Sequence, residues 1–275
     1  MSKTLTYFFT LMLVLIVLGP LMMMVTVSLN PSEASINVNM GTIRAFIPHV
    51  VSFENYQAVL TDRNHPFLRY LFNTTVIVGG ILIGAILVNS MAAFALAWGE
   101  GRYRKWALIV VIALIAVPME SLVLPLLLMS SRAGIVNSFE VQILPFIANA
   151  FALFLFYQFF SKLPKDLIEA AKVDGLNLLQ TYWYIGLPLC KPIIATLSIL
   201  IFLEQWNNYL WPVMVTRGPE YRPLSVAMAA YFDSNRMFWG QIMAFAVMMT
   251  IPIMIFFLIV QRYFVQSVTG SAVKG

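Results

Sequence analysis

Glu204-Gln205-Trp206-Asn207-Asn208-Tyr209 places six hydrogen-bonding side chains in succession inside an otherwise apolar run. A sugar is held by carboxylates and amides at its hydroxyls and by an aromatic ring on its C–H face, and this cluster supplies all three. Polar groups at membrane depth are costly and mark functional paths. Six such residues cannot all face neighbouring helices, so some are expected to line a hydrated path. A network that glues helices together, or a polar break in a helix, accounts for the same residues. Glu120, flanked by Pro118 and Ser121, reads either as a gate residue on a kinked helix or as an interfacial carboxylate. Asn149 reads as a helix–helix hydrogen bond and Asn73 as a residue of the membrane boundary.

Other chemistry is missing. No G-x4-G-K-[ST] phosphate loop occurs, so the chain is not expected to hydrolyse ATP. His49 and His65 both lie in segment 30–70, away from Cys190, the only cysteine; no Ser/His/Asp or Cys/His set and no metal site are expected. Cys190, between Pro188 and Pro192, reads as inert packing. A membrane enzyme would need a carboxylate pair or a metal at the interface, and Glu120 and Glu204 are the only acids well inside apolar runs. A stand-alone channel or carrier is the other class to separate from the reading below.

A second constellation lies between two apolar runs. Glu169-Ala170-Ala171-Lys172-Val173-Asp174-Gly175 is followed ten residues later by Ile185-Gly186-Leu187-Pro188. Pro164 suits a helix start, Asp166 and Glu169 suit the N-terminal half of its dipole, and Gly175 suits the left-handed position past its end. Leu167, Ala170, Ala171 and Asp174 recur at three- and four-residue spacing, and Lys165, Glu169 and Lys172 form a charged stripe. Leu178, Leu179, Tyr182 and Trp183 then form an apolar stripe suited to the membrane interface, and Pro188 and Pro192 end the run. A built helix in a loop either anchors it to the surface or is gripped by another protein.

The elements that must position these groups follow from composition. The chain has 275 residues, 60% hydrophobic and 11% charged, against about a quarter charged in soluble proteins. Crossing a bilayer takes about 20 apolar residues, and backbone groups in lipid must pair within helices. Six runs qualify, at 5–29, 71–98, 106–130, 139–160, 193–216 and 241–264, and the first is read as an uncleaved span. These predict one all-α membrane domain over 1–275, with an external segment 30–70 and a loop 161–192. Within segment 30–70, Ser52 is expected to cap a short helix through Leu60 on the outer surface. Gly80 and Gly84, with Ser90, Ala93 and Ala97, mark close packing of the second span, within the subunit rather than between subunits. With a cytoplasmic N-terminus, ten of the basic residues fall inside and seven outside, and every lysine is inside. Both termini are therefore expected in the cytoplasm. This topology accounts for the net charge of +5, so nucleic acid is not implied.

The E-A-A-x3-G-x9-I-x-L-P spacing resembles the coupling-helix signature of the permease subunits of bacterial carbohydrate-uptake ABC importers of the maltose type. The similarity runs over almost the whole chain, through Asn55-Tyr56, Asn73-Thr74, Pro118 with Pro125, Leu163-Pro164, Trp206-Asn207 and Trp211-Pro212 to Gly270-Ser271-Ala272-Val273-Lys274-Gly275. The resemblance implies a type I ABC importer fold with six transmembrane helices and a cytoplasmic coupling helix, in the bacterial inner membrane. It implies ATPase contact by Glu169, Ala170, Ala171, Asp174 and Gly175, and a tail, Lys274 and Gly275, reaching the ATPase dimer interface. Ser271 stands where that tail usually has Gly. It also implies the partners: a second homologous permease, two ATPase subunits holding ATP and Mg, and a periplasmic or extracellular solute-binding protein. No cofactor is implied in this chain. The cargo implied is sugar-type, with a neutral mono- or oligosaccharide favoured. A charged derivative such as glycerol phosphate or a sulfonated sugar is the alternative, since all seven outside basic residues are arginines, which suit anionic oxygens.

Overall fold

A computed structural model describes residues 3–48 and 50–272, with side chains through Gln261. His49 and the tail residues Lys274 and Gly275 lie outside the described residues. Among those described, every regular element is helical: α1 Lys3–Ser28, α2 Glu33–Asn39, a 3-10 turn Ile43–Phe46, α3 Glu54–Thr61, α4 Phe67–Trp98, α5 Arg104–Ile115, α6 Met119–Arg132, α7 Phe139–Ile147 and α8 Ala150–Phe160. Then follow α9 Lys165–Val173, α10 Leu178–Thr181, a π-turn Tyr182–Gly186, α11 Leu187–Leu189, α12 Lys191–Trp206, α13 Leu210–Val215, α14 Leu224–Ser234 and α15 Trp239–Ala272. Four helices are long and apolar enough to cross a membrane, and six spans result if each of two bent pairs counts as one.

The bends have sequence causes. Between α5 and α6 the axis turns by 101° at Pro118, which lacks the backbone donor that would continue α5. Between α11 and α12 it turns by 74° at Cys190, ahead of Pro192. The run 139–160 divides at Ala148 and Asn149, and the run 193–216 divides after Trp206.

The chain forms two compact units, one from the stretch up to Asn73 with Arg222–Met254, the other from Thr74–Tyr221 with the stretch from Ile255 on. In the first, Phe67, Tyr70, Tyr231 and Phe245 form an aromatic core, with Phe67 edge-on to Phe245 at 5.0 Å. Burial, with the negative charge of Asp62 adding to it, pushes the Tyr231 phenol up to about 12. Its hydroxyl therefore stays protonated and donates to Gln241 Oε1 at 3.0 Å. Asn55 Nδ2 donates to the carbonyls of Ser28 and Asn30 at 3.0 and 2.8 Å, tying the end of α1 to α3. Ser52 Oγ accepts from Glu54 N at 3.2 Å, but α3 begins only at Glu54, so Phe53 and not Ser52 holds the cap position.

Glu33 supplies the cap that α15 lacks in its own sequence. Its carboxylate accepts from the N–H groups of Trp239 at 3.0 Å and Gly240 at 2.9 Å, the positive end of the helix dipole. Glu33→Ala is expected to cost about 1–3 kcal/mol, because it leaves both donors unpaired. Thermal unfolding of the purified protein measures this, and Glu33→Asp should recover part of the loss.

In the second unit, α4 is the central strut. A Cβ at Gly84 would sit 2.6 Å from Ile147 Cγ2, and one at Gly80 would sit 2.9 Å from Ile143 Cδ1. The two glycines thus let α7 lie directly on α4, which is packing within the chain. Phe94, Phe156, Phe160 and Tyr182 fill the core beside it, with Phe94 edge-on to Phe160 at 5.1 Å. Arg104 folds back to close the end of α4, donating to the carbonyls of Leu96 (2.6 Å), Gly99 (3.0 Å) and Ala97.

Candidate functional site: a rigid loop helix and a polar break

Helix α9 is closed as its sequence foretells. Gly175 sits at φ +80°, its N–H bonds Lys172 O at 3.0 Å, and Leu176 N bonds Ala171 O at 3.0 Å. These are the paired 5→2 and 6→1 bonds of a Schellman ending, which satisfy carbonyls that a frayed helix would expose. Asn177 and Gln180 then form a reciprocal capping box that starts α10 within two residues of Gly175. The loop is fixed at both junctions.

Its faces differ from the expected ones. The stripe Leu167, Ala170, Ala171 and Asp174 divides: Ala171 packs inward beside Ile168, Leu167 is half-buried, and Ala170 and Asp174 face out; Ala171 is 2% exposed and unavailable to a partner. Glu169, Ala170, Asp174 and Gly175 are exposed, together with Val173 at 87%. Val173 is thus an open apolar side chain on a charged helix, one that spacing alone did not single out. Tyr182 also leaves its expected place. Its ring is buried and its hydroxyl pairs with Ser90 Oγ at 2.8 Å, whereas Leu178, Leu179 and Trp183 remain exposed.

Trp98 fastens the loop region to the span above it, Nε1 donating to Phe160 O at 2.9 Å. A groove of about 360 Å³ opens between Trp98, Gly99 and Glu100 on one side and Ile168, Lys172 and Leu178 on the other. Lys172 Nζ and Glu100 Oε1 face each other across it at 3.7 Å, both exposed, so the pair contributes little on its own.

The polar run 204–209 divides by direction. Gln205 and Trp206 point inward; Trp206 is 2% exposed and stacks on Phe202 at 5.0 Å, and Phe202 stacks on Phe256 at 3.9 Å. The Trp206 indole N–H has no acceptor among the described residues. Asn208 Nδ2 donates to Gln205 Oε1 at 3.2 Å, and Asn207 Nδ2 donates to Leu203 O at 2.8 Å, closing the end of α12. Glu204, Asn207 and Tyr209 are exposed. Of the six, only Glu204 lines the cavity of about 620 Å³ beside the bend between α5 and α6, together with Asn89, Asn149, Phe146, Phe151 and Leu122. Glu120 is not brought there. It is exposed in the first turn of α6, where its charge suits the helix dipole.

Asn149 is not the side-chain bridge its sequence context predicts. Its Oδ1 caps α8 through Ala152 N at 2.9 Å, and its backbone N–H donates to Asn89 Oδ1 at 3.0 Å. Asn89 Nδ2 donates in turn to Ile147 O at 2.9 Å and Ala85 O at 2.6 Å. One buried amide thereby serves both sides of the break between α7 and α8.

A Ser/His/Asp set does assemble, contrary to the sequence expectation. His65 Nδ1 lies 3.2 Å from Asp62 Oδ2, and His65 Nε2 lies 3.4 Å from Ser234 Oγ. The serine is 169 positions from the histidine, so spacing could not reveal it. Ser234 ends α14, with its hydroxyl donating to Ala230 O at 2.9 Å. That is the carbonyl pole of the helix, where a developing oxyanion is repelled rather than stabilised.

Residues 80–270 match the family described as binding-protein-dependent transport system inner membrane component. The chain belongs to that family. This permease is 31% identical to the arabinooligosaccharides transport system permease protein AraQ of Bacillus subtilis, over 98% of this chain and 95% of that one. It is 32% identical to the trehalose/maltose transport system permease protein MalG of Thermococcus litoralis, over 82% of each. Among solved structures it is similar to a chain of a bacterial ABC transporter involved in the import of the acidic polysaccharide alginate, with TM-score 0.81, 25% identity and 95% of both chains covered. The permease is thus an all-α, multi-pass membrane protein with the type I ABC importer fold, and its family works with ATPase and binding-protein partners.

Proposed function

We propose that this permease carries sugars or sugar derivatives as one half of a membrane heterodimer with a second, homologous permease, moved by two ATPase subunits that grip α9. In this reading the chain is non-catalytic and holds no cofactor; ATP and Mg belong to the ATPases. Both termini are cytoplasmic in the bacterial inner membrane. A periplasmic or extracellular binding protein delivers the cargo. The tail, Lys274 and Gly275, reaches the ATPase dimer interface.

The single observation that carries this is the construction of α9, a short helix locked at both junctions, seated through Ile168 and Ala171, and presenting Glu169, Ala170, Val173, Asp174 and Gly175 outward. A force-transmitting element must be stiff, and an anchor for a loop need not be. ATP-driven closure of the ATPases moves such a helix as a rigid body, and the membrane halves rock between inward- and outward-facing states. Glu204, with the cavity it lines, is the translocation-path group that the geometry supports best.

Glu169→Lys tests the coupling role. Reversing one partner of an interfacial charge contact costs about 2–5 kcal/mol, enough to lower ATPase association and uptake more than tenfold. Insertion and binding-protein recognition should be unaffected. Normal uptake in this variant would sink the assignment.

Sugar-type cargo rests on the relatives named above, two of them named for neutral oligosaccharide or disaccharide transport. A charged derivative is the second reading, favoured by the alginate importer and by the arginines at 44, 63, 69, 132, 217, 222 and 236. Calorimetric titration of the partner binding protein with neutral and anionic sugars separates the two.

A further inference from the structure

We propose that the cavity lined by Glu204 admits neutral, hydroxyl-rich cargo and rejects anions, with Glu204 as the residue that sets this preference. The inference rests on the reading of that cavity as part of the translocation path. Its whole lining lies within the second compact unit, on α4 to α8 and α12. A volume of about 620 Å³ is in the range of small-molecule pockets.

The polar inventory of the cavity is short. Glu204 is the only ionisable side chain on its lining, and no lysine, arginine or histidine stands there. The carboxylate makes no ion pair and no hydrogen bond among the described residues. Asn89 is spent on backbone groups. Asn149 Oδ1 is spent on Ala152 N, whereas its Nδ2 has no partner among the described residues. The cavity therefore offers one free acceptor group and one free donor group. A hydroxyl uses both, giving its proton to a carboxylate and accepting from an amide. Phe151, 45% exposed, adds an apolar face for the C–H side of a sugar.

A phosphate, sulfonate or sugar carboxylate fits this inventory poorly. It has few protons to give Glu204, and it meets the only charge on the lining with like sign. Apolar walls strengthen that repulsion relative to water. None of the seven arginines that favour an anionic cargo lines the cavity, so they supply no counter-charge on its walls.

The reaction of a cavity thiol with methanethiosulfonates of different charge tests this whatever the cargo is. Leu122→Cys puts the thiol on the wall, in a Cys190→Ala background that removes the buried native thiol. The transporter, purified with its partner subunits, is treated with the neutral ethyl, the anionic sulfonatoethyl and the cationic trimethylammonium-ethyl reagents. Rates are divided by those measured with free cysteine. The anionic reagent should then react at least about tenfold more slowly than the neutral one, as like-charge juxtaposition requires. The cationic reagent should react faster than either. Glu204→Gln should remove most of these differences, and Glu204→Lys should reverse their order. Glu204 has no partner to lose, and co-purification of the ATPase checks assembly; where the lysine blocks it, the glutamine variant decides. Equal corrected rates, or differences that persist in Glu204→Gln, overturn the inference and leave the path reading standing. The path reading has its own readout, since the neutral reagent, once attached, should block uptake. A thiol that none of the reagents reaches, or full uptake after complete modification, sinks the path reading and the inference with it.

Discussion

Gly175→Val is expected to abolish uptake while the permease still inserts and still assembles with its membrane partner. The residue sits at φ +80°, where nothing lies within 4 Å of the position a Cβ would take. The penalty is therefore one of backbone conformation and not of crowding. A β-branched residue in the left-handed region costs about 1–2 kcal/mol or more, so valine drives the chain out of that region. The 5→2 and 6→1 bonds that close α9 are lost with it, and the turn into the Asn177–Gln180 capping box is re-aimed. A helix that frays at its last turn displaces Val173 and Asp174, two of the exposed residues that the proposed ATPase contact uses. Gly175→Ala should retain partial uptake and Gly175→Asn more, because asparagine tolerates the left-handed region. Transport by proteoliposomes, with ATPase co-purification as the second readout, measures the series. Equal loss in the Asn and Val variants would mean that the glycine is needed for close approach of a partner and not for its φ.

The contrast between α9 and the polar run shows what a sequence discloses. The ending of α9 was legible because left-handed glycine, the acidic first turn and the proline start act within a few residues of each other. Its inner face was not, because Leu167 with Ala170 and Ile168 with Ala171 are equally good three-residue stripes. Only the position of the neighbouring core decides between them. The same applies to Tyr182, whose ring could lie on the interface until Ser90 provides a buried partner 92 positions away. In the polar run, composition announced a break in the apolar pattern, and α12 does end at Trp206. Which residues turn inward depends on the 100° step of the helix and on Phe202 and Phe256, neither of which is part of the motif. The bend at Pro118 was marked by a residue type with one meaning in a helix interior. The break at Ala148 and Asn149 carried no such mark, and the residue that holds it, Asn89, lies on another helix.

Asn89→Leu is expected to be among the most damaging single substitutions in the membrane region, although leucine keeps the branched outline of the amide. The amide is 2% exposed and is fully used, with its oxygen on Asn149 N–H and its nitrogen on the carbonyls of Ile147 and Ala85. Ala85 O lies within the regular helix α4 and keeps a helical partner. Ile147 O and Asn149 N–H flank the break between α7 and α8 and have no helical partner to fall back on. Leaving each of these unpaired costs about 1–3 kcal/mol, and the two together are a large fraction of an ordinary domain's stability. The break adjoins the cavity that holds Glu204, so loss of its geometry also displaces Asn149 and Phe151 from the cavity wall. Yield of folded protein, thermal stability in detergent and uptake should all fall, uptake by more than tenfold. Asn149→Ala provides the calibration, since it removes only the side-chain cap on Ala152 N and should cost about 1 kcal/mol. Asn89→Leu no worse than Asn149→Ala would show that water from the cavity replaces the amide, and that the break is held by packing of Ile143 and Ile147 against Gly80 and Gly84 instead.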